Sequence, residues 1–301
     1  MKQFQGAKVL VTGGNGFISS HLVDKLIELG AIVHITTTSG TDKQNVALHK
    51  LDIAQTDKVD ELVKQIQPDF IFHLAGTIKK NLTEDEIMAI NYVPAVKLLK
   101  SIEGINCRLI FPSAFELYAD LSPPFKEDNI VKPITPYARS KRAVEMYCKK
   151  TSANAVCLRL AIVYGPRQKG DMFIPRIMSS CSEKREFETT SGEQTRDFVY
   201  ISDAVEALLL AAIKENAKGE IINIASGKEY KIKDIALKVN ELFGCPINIK
   251  FGAVPYRENE IWRYYGDITK AKHILNWNPK TELEKGLKET VSWWQARDKI
   301  I

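Results

Sequence analysis

The sequence predicts an α/β protein with a doubly wound parallel sheet and a smaller C-terminal lobe. Three observations carry this. Short apolar runs alternate with amphipathic segments through the first half, a glycine-rich turn follows the first apolar run, and the pattern becomes irregular after Gly165-Pro166. Apolar runs alternating with helical periodicity argue for βαβ units whose sheet is covered on both faces.

Each element can be justified in order. KVLVT (8–12) is the first strand and SSHLVDKLIELG (19–30) the first amphipathic helix. IVHIT (32–36), DKVDELVKQI (57–66), DFIFHLAG (69–76), an apolar-periodic stretch at 91–102 and RLIFPS (108–113) continue the alternation. A helix over 137–150 and an apolar run over 155–160 complete it before Gly165-Pro166 breaks the pattern. A helix at 203–213 and a strand at 221–225 read as returning to the sheet. The sheet domain is therefore expected over 1–164 with 196–225, and the smaller lobe over 165–195 and 226–301. There is no internal repeat, low-complexity tract or long linker, so the two should pack as one unit.

Composition narrows the function classes. The 301 residues are 45% hydrophobic, and 42 Lys+Arg against 37 Asp+Glu leave a formal charge of +5 with no basic run. Such a balance does not suggest a nucleic-acid partner. Cys107, Cys148, Cys157, Cys181 and Cys245 are odd in number and widely spaced, without a CxxC or Cys/His cluster. They read as reduced core residues in the cytosol, and no metal site is expected. The N-terminus lacks the h-region and cleavage site of a signal peptide, and no stretch approaches the roughly 20 apolar residues that span a bilayer. A soluble, cytoplasmic protein with no membrane partner is expected.

Thr12-Gly13-Gly14-Asn15-Gly16-Phe17-Ile18-Ser19 follows the first strand and opens the first helix. Glycines in that context let the backbone approach a pyrophosphate, and the helix N-terminus offers free N–H groups and a favourable dipole. At Pro136-Tyr137-Ala138-Arg139-Ser140-Lys141, Tyr137 and Lys141 stand at i and i+4, on one helix face. A phenol is a poor acid or base at neutral pH, and a neighbouring ammonium makes its proton exchange accessible.

VTGGNGFIS, with Leu74-Ala75-Gly76 after the fourth strand, Asp52-Ile53 after the third and the Tyr137/Lys141 pair, resembles the extended short-chain dehydrogenase/reductases. This is the NAD(P)-dependent nucleotide-sugar epimerase/dehydratase family, with a Rossmann-type sheet. The resemblance implies that Gly13, Asn15, Gly16, Phe17, Ile18, Leu74, Ala75 and Gly76 cradle the dinucleotide, with Asp52 and Ile53 beside adenine. Tyr137 would be the acid/base, and Lys141 would hold the nicotinamide ribose and tune Tyr137. A homodimer through the helices of the Tyr137 region is also implied.

The chain departs from the family at several places. The third glycine is Ser19. Where NAD-type members carry an acid at the end of the second strand, Ile35-Thr36-Thr37-Thr38-Ser39 puts Thr37. Without that carboxylate a 2′-phosphate is not repelled, and the hydroxyls of Thr37, Thr38 and Ser39 with Lys43 could solvate one. This favours NADP, with NAD possible. Counting back from Tyr118, the family's catalytic hydroxyl falls on Ala114, with Ser113 one residue earlier as the candidate replacement. Glu116 matches an acid of the family's dehydratases, whereas the neighbouring acid of one major group is Phe115 here.

The substrate end also carries the resemblance. Gly165-Pro166-Arg167-Gln168, Gln194-Thr195-Arg196-Asp197-Phe198 and Tyr256-Arg257-Glu258-Asn259-Glu260 match family segments that lead to a nucleotide-diphosphate sugar. Arg167, Arg196 and Arg257 are then expected in its pocket, the last two as planar forks on the diphosphate, with Glu116 near the sugar. Ile162 replaces an asparagine that would have touched the same group.

Three functions stay open. The missing acid at Thr37, the incomplete dehydratase set and the Arg-Glu-Asn-Glu-Ile wording resemble 4-ketoreductases of deoxysugar synthesis. That implies reduction of a nucleotide-linked 4-keto-6-deoxysugar, with Tyr137 as proton donor. The alternatives are a 4-epimerase with bound NAD, and a non-catalytic dinucleotide-sensing protein, to which Ala114 points.

Overall fold

In a computed structural model, which describes residues 1–40, 44–118, 121–244, 247–258 and 260–298, the sheet has seven strands. They are β1 (Lys8–Thr12), β2 (Ile32–Thr37), β3 (Val46–Lys50), β4 (Phe70–His73), β5 (Arg108–Ala114), β6 (Asn154–Leu160) and a returning strand at Ile221–Ile224. Across the sheet the order is Ile221–Ile224, β6, β5, β4, β1, β2, β3, and every neighbouring pair is parallel. Among the sequence positions discussed above, Lys43, Cys245 and Asn259 lie outside the described residues.

The period-two alternation of each strand sends its side chains into two separate cores. On β1, Val9 and Val11 face the core shared with helix α1 (Phe17–Glu28) and the helix Ile201–Ile213. Leu10 faces the other, lined by helices α2 (Thr56–Ile66), α4 (Val93–Ser101) and α5 (Pro136–Cys148). Burying each such leucine or valine contributes about 1.5–3 kcal/mol. Parallel strands covered on both faces need near-continuous apolar runs, which is what KVLVT, IVHIT and RLIFPS supply.

Two segments differ from expectation. The periodic stretch at 91–102 belongs to two helices, α3 (Glu84–Asn91) and α4, because Pro94 starts a new helix at its first turn. Thr83 and Glu86 close a capping box at the front of α3, a start signal that lies ahead of the apolar stretch. The smaller lobe is also more regular than its sequence suggests, with helices at Phe173–Ser182 and Ile232–Phe243 and short two-stranded pairs ahead of the expected helix through Trp293-Trp294, Leu283–Asp298. Among the described residues no helix is long and apolar enough to cross a membrane.

Strand order reverses between β1 and β4, so the loops leaving their C-terminal ends part and open a crevice. Both the glycine-rich turn and residues 74–76 sit at that switch point.

Candidate active site

The dinucleotide end is built from backbone. Gly13 has φ +66°, and a Cβ there would lie 2.9 Å from the Cα of Ala75. A Cβ on Gly14 would come within 2.6 Å of Ile35. Only glycine lets the turn pass so close to its neighbours. Gly16 caps α1 without a side-chain hydrogen bond, and no acid stands in the first turn. The first-turn N–H groups are thus available to an anion, and the cradle fits a dinucleotide pyrophosphate. Ser19, in the third glycine's place, is buried in the close packing behind the turn.

At the end of β2, Thr37 is placed differently from the sequence expectation. Its hydroxyl donates to the carbonyl of Ser39 and accepts from Ser39 N and Asn15 Nδ2, both at 3.2 Å. It therefore closes the turn, while Thr38 and Ser39 are exposed beside it. Leu51 N donates to the Thr37 carbonyl at 3.0 Å, which brings Asp52 and Ile53 to the same rim.

The chemical centre stands where α5 meets the end of β5. Thr135 caps α5, accepting from Ala138 N at 3.1 Å, and Pro136 fixes the first turn. Tyr137 and Lys141 lie on one face, the ammonium 5.7 Å from the phenol ring centroid. Lys141 Nζ donates to the Pro112 carbonyl at 2.8 Å and lies over the Phe111 ring at 4.4 Å. Burial lowers its pKa to about 8, partly offset by Cys157 and Glu145. Burial, then the charge of Glu116, pushes the Tyr137 phenol well above the usual tyrosine range. Tyr137 is thus held protonated, as a proton donor must be.

Ser113 is a correction. Its Oγ donates to Glu145 Oε1 at 2.7 Å, inside the buried layer between β5 and α5. Alternation along the strand turns Ala114 to the opposite core, so the two positions cannot exchange roles. Glu116 does lie at the centre: Thr135 Oγ1 donates to it, and its charge reaches Tyr137 and Tyr264. Phe115 is fully buried against Tyr118, Phe125 and Tyr264, and supplies packing where the dehydratase acid would stand.

The substrate end holds one further correction, at Arg167, and an Arg196 already engaged within the protein. Arg167 Nη1 pairs with Asp24 of α1 at 2.5 Å, and the neighbouring Pro166 carbonyl contacts His21 Nε2 at 2.8 Å. Arg167 thus staples its loop to α1. Arg196 does not extend a free fork: its Nη1 donates to the carbonyls of Thr195 and Ile261 at 2.6 and 2.7 Å, and Nη2 pairs with Glu260. Arg257 lies on the same strap, its carbonyl accepting from Glu260 N at 3.2 Å, with its side chain exposed. The two arginines therefore share a corner, with Glu260 between them. Asp197 anchors that corner, accepting from Ser226 N and Oγ, both at 2.7 Å, and from Gly227 N and Gly266 N.

Three residues escaped the sequence reading. Asn91 Oδ1 accepts from Thr77 N at 2.8 Å and its Nδ2 donates to Ser140 Oγ at 3.1 Å, tying the loop after β4 to α5. An asparagine inside an apolar-periodic stretch was the available signal. His73 is buried with Nδ1 2.8 Å from Thr12 Oγ1, and burial and the Lys141 charge push its pKa down to about 3, keeping the ring neutral. Tyr264 packs under Arg196, whose guanidinium carbon lies 5.5 Å from its ring centroid. A cleft of about 670 Å³ lined by Lys169, Arg176 and Trp294 lies elsewhere and contains none of the predicted site residues.

Sheet order and the glycine cradle are those of a dinucleotide-binding Rossmann-type fold. The profile described as the NAD dependent epimerase/dehydratase family matches residues 9–225. The chain belongs to that family of extended short-chain dehydrogenase/reductases, which are enzymes acting on nucleotide sugars. It is 31% identical over 316 residues to the UDP-N-acetyl-alpha-D-glucosaminuronate decarboxylase of Bacillus cytotoxicus, with 96% of this chain and 98% of that one covered. It is similar to the solved structure of UDP-glucose 4-epimerase with UDP-glucose from Thermotoga maritima, with a TM-score of 0.89, 30% identity and coverage of 96% and 99%. The UDP-glucuronic acid 4-epimerase of Bacillus cereus, solved with UDP-glucuronic acid and NAD, gives a TM-score of 0.86 at 27% identity, with coverage of 96% and 99%. The family's cofactor is NAD; these likenesses give no support specific to NADP.

Proposed function

We propose that the protein exchanges hydride with C4 of a nucleotide-diphosphate sugar, and that its net reaction is reduction of a 4-keto-6-deoxysugar. The observation that carries the proposal is the placing of Lys141 Nζ 5.7 Å from the Tyr137 ring on one face of α5, in a chain whose first βα turn is a glycine cradle shaped for a dinucleotide. When bound, the nicotinamide dinucleotide supplies or removes the hydride. Tyr137 gives its proton to the oxygen that develops charge, and Lys141 holds a positive charge next to it. Arg196 and Arg257 bind the diphosphate once Glu260 yields the Arg196 fork.

The fully buried Phe115 supports reduction over dehydration, because loss of water asks for an acid that position no longer offers. The lack of a carboxylate at Thr37 supports exchange of NADPH for NADP at that rim. The relatives favour a second reading, a 4-epimerase that keeps NAD bound, since whole-chain likeness at 30% identity runs to an enzyme named for that reaction. Exposed Val93 on α4 and Met146 on α5 support a homodimer through those helices; a monomer mass by light scattering at micromolar concentration would exclude it.

The test mixes purified protein with NADPH or NADH and a panel of nucleotide-linked 4-keto-6-deoxysugars, following nicotinamide absorbance. Stoichiometric oxidation is expected. Isomerisation of a nucleotide sugar without net cofactor consumption identifies the epimerase instead. Dinucleotide binding with neither activity identifies the binding protein.

A further inference from the structure

The helix that carries Tyr137 and Lys141 is fastened one turn further on, at Glu145. This carboxylate is completely buried. Its Oε1 accepts from Ser113 Oγ of β5 at 2.7 Å and from Arg159 Nε of β6 at 2.8 Å. Its Oε2 accepts from Arg159 Nη2 at 2.8 Å and Arg142 Nη1 at 3.1 Å. The chain of bonds continues outward. Arg159 Nη1 donates to Tyr118 OH at 2.6 Å, Tyr118 OH to Asn223 Oδ1 at 2.7 Å, and Asn223 Nδ2 to the Phe125 carbonyl at 2.9 Å.

A charge this deep survives only with every lone pair satisfied. An apolar pair of similar volume often gives equal stability, so stability alone does not explain the arrangement. What the fork supplies is direction: two parallel N–H···O bonds fix one relative orientation of β6 and α5, and Ser113 fixes the height of α5 on β5. Tyr118 stands two residues after Glu116, so the same lock reaches the turn carrying the second acid of the centre.

We propose that Glu145 and Arg159 are positioning residues of the reaction, which with Ser113 set the height and rotation of α5 so that Tyr137 and Lys141 meet the sugar oxygen. The proposal rests on the reading of Tyr137 and Lys141 as the working pair. It assigns to Ser113 a role in the anchor in place of the catalytic hydroxyl. Glu145 also acts on Lys141 by charge. The groups facing that ammonium are Glu145 and Tyr137 from its own helix, Cys157 from β6, His73 from β4 and the Pro112 carbonyl from β5. Glu145 supports the protonated form, so its loss lowers the Lys141 pKa further.

Glu145→Gln alone leaves a buried guanidinium without its charge partner and can fail to fold, so the informative protein is the double variant Glu145→Gln/Arg159→Met. It is expected to retain the wild-type circular dichroism spectrum and a cooperative melt. Its kcat should fall about 10- to 100-fold with KM for the nucleotide sugar within about twofold, as for a misplaced reacting group. Ser113→Ala, which loses one of the four bonds, should lower kcat by less. If the wild type itself turns over no nucleotide sugar, the reading of function fails. The proposal is then decided by NADH affinity, measured by nicotinamide fluorescence, which the double variant should lower several-fold because Lys141 is displaced. A folded double variant with wild-type kcat, or with wild-type NADH affinity, overturns it. So does a loss in Ser113→Ala as large as in Tyr137→Phe.

Discussion

The two ends of the cleft follow opposite plans. At the dinucleotide end the ligand would meet main chain: the N–H groups of the first turn of α1 and a turn whose glycines pass within van der Waals distance of Ala75 and Ile35. At the substrate end it would meet a charged side chain that is already committed, Arg196 to Glu260. A backbone cradle is complete before its ligand arrives, whereas a side-chain clamp has to exchange an internal partner for the ligand. The first should therefore bind by fit and tolerate no added atom, and the second by competition between anions.

The largest effect expected from breaking the centre between these ends belongs to Tyr137→Phe. Turnover should fall about 10²- to 10⁴-fold, the usual contribution of a placed acid/base, while dinucleotide affinity is nearly preserved. Unchanged turnover would remove Tyr137 from the mechanism. A double dissociation then sharpens the comparison. Gly13→Ala forces a Cβ 2.9 Å from Ala75 Cα in a residue at φ +66°. The strain, about 1–3 kcal/mol, should weaken dinucleotide binding roughly 5- to 150-fold in calorimetric titration and spare UDP binding. Arg196→Met should do the reverse, costing UDP about 1.5–3 kcal/mol, the value of hydrogen bonds to a charged group. If both variants weaken both ligands equally, the two ends are not independent.

Acidity separates the centre from the fold. The Lys141 ammonium has a pKa of about 8 in the folded protein against the ordinary 10.5. Between these values the unfolded chain binds more protons than the folded one, so the burial cost of this group is relieved and stability should rise with pH. Turnover that uses the ammonium should move oppositely, falling about tenfold per pH unit above the folded pKa. Denaturant melts and kcat measured across pH 7–10, with Lys141→Met as the control that removes both trends, check the opposed signs. Parallel trends would mean that some other group governs the rate.

What was legible in the sequence follows the same division. The sheet, the glycine turn and the i, i+4 spacing of Tyr137 and Lys141 depend on neighbours along the chain, and KVLVTGGNGF and PYARSK display them directly. The partners of the arginines do not lie nearby: Glu260 is 64 residues from Arg196, and Asp24 is 143 from Arg167. Ser113 illustrates the same limit within one strand. Its offset from Ala114 was readable, but the acceptor that captures its hydroxyl, Glu145, is supplied by another element. Helices Phe173–Ser182 and Ile232–Phe243 were missed for a different reason: both start without a side-chain cap, so no Ser, Thr, Asp or Asn announces them.

The smallest predicted effect tests the sharpest of these corrections. If Arg167 serves the sugar diphosphate, its removal should resemble that of Arg196. The structure instead gives it a partly exposed pair with Asp24 and a main-chain conformation, φ +67°, set by the turn after Pro166. An exposed ion pair of this kind contributes less than about 1 kcal/mol. Arg167→Ala should therefore change UDP affinity by less than about twofold and lower the melting midpoint by only a few degrees. Asp24→Ala should give the same small shift, and the double variant should add nothing to it, because either single change already breaks the pair. A loss of UDP affinity in Arg167→Ala that is absent from Asp24→Ala would return Arg167 to the substrate.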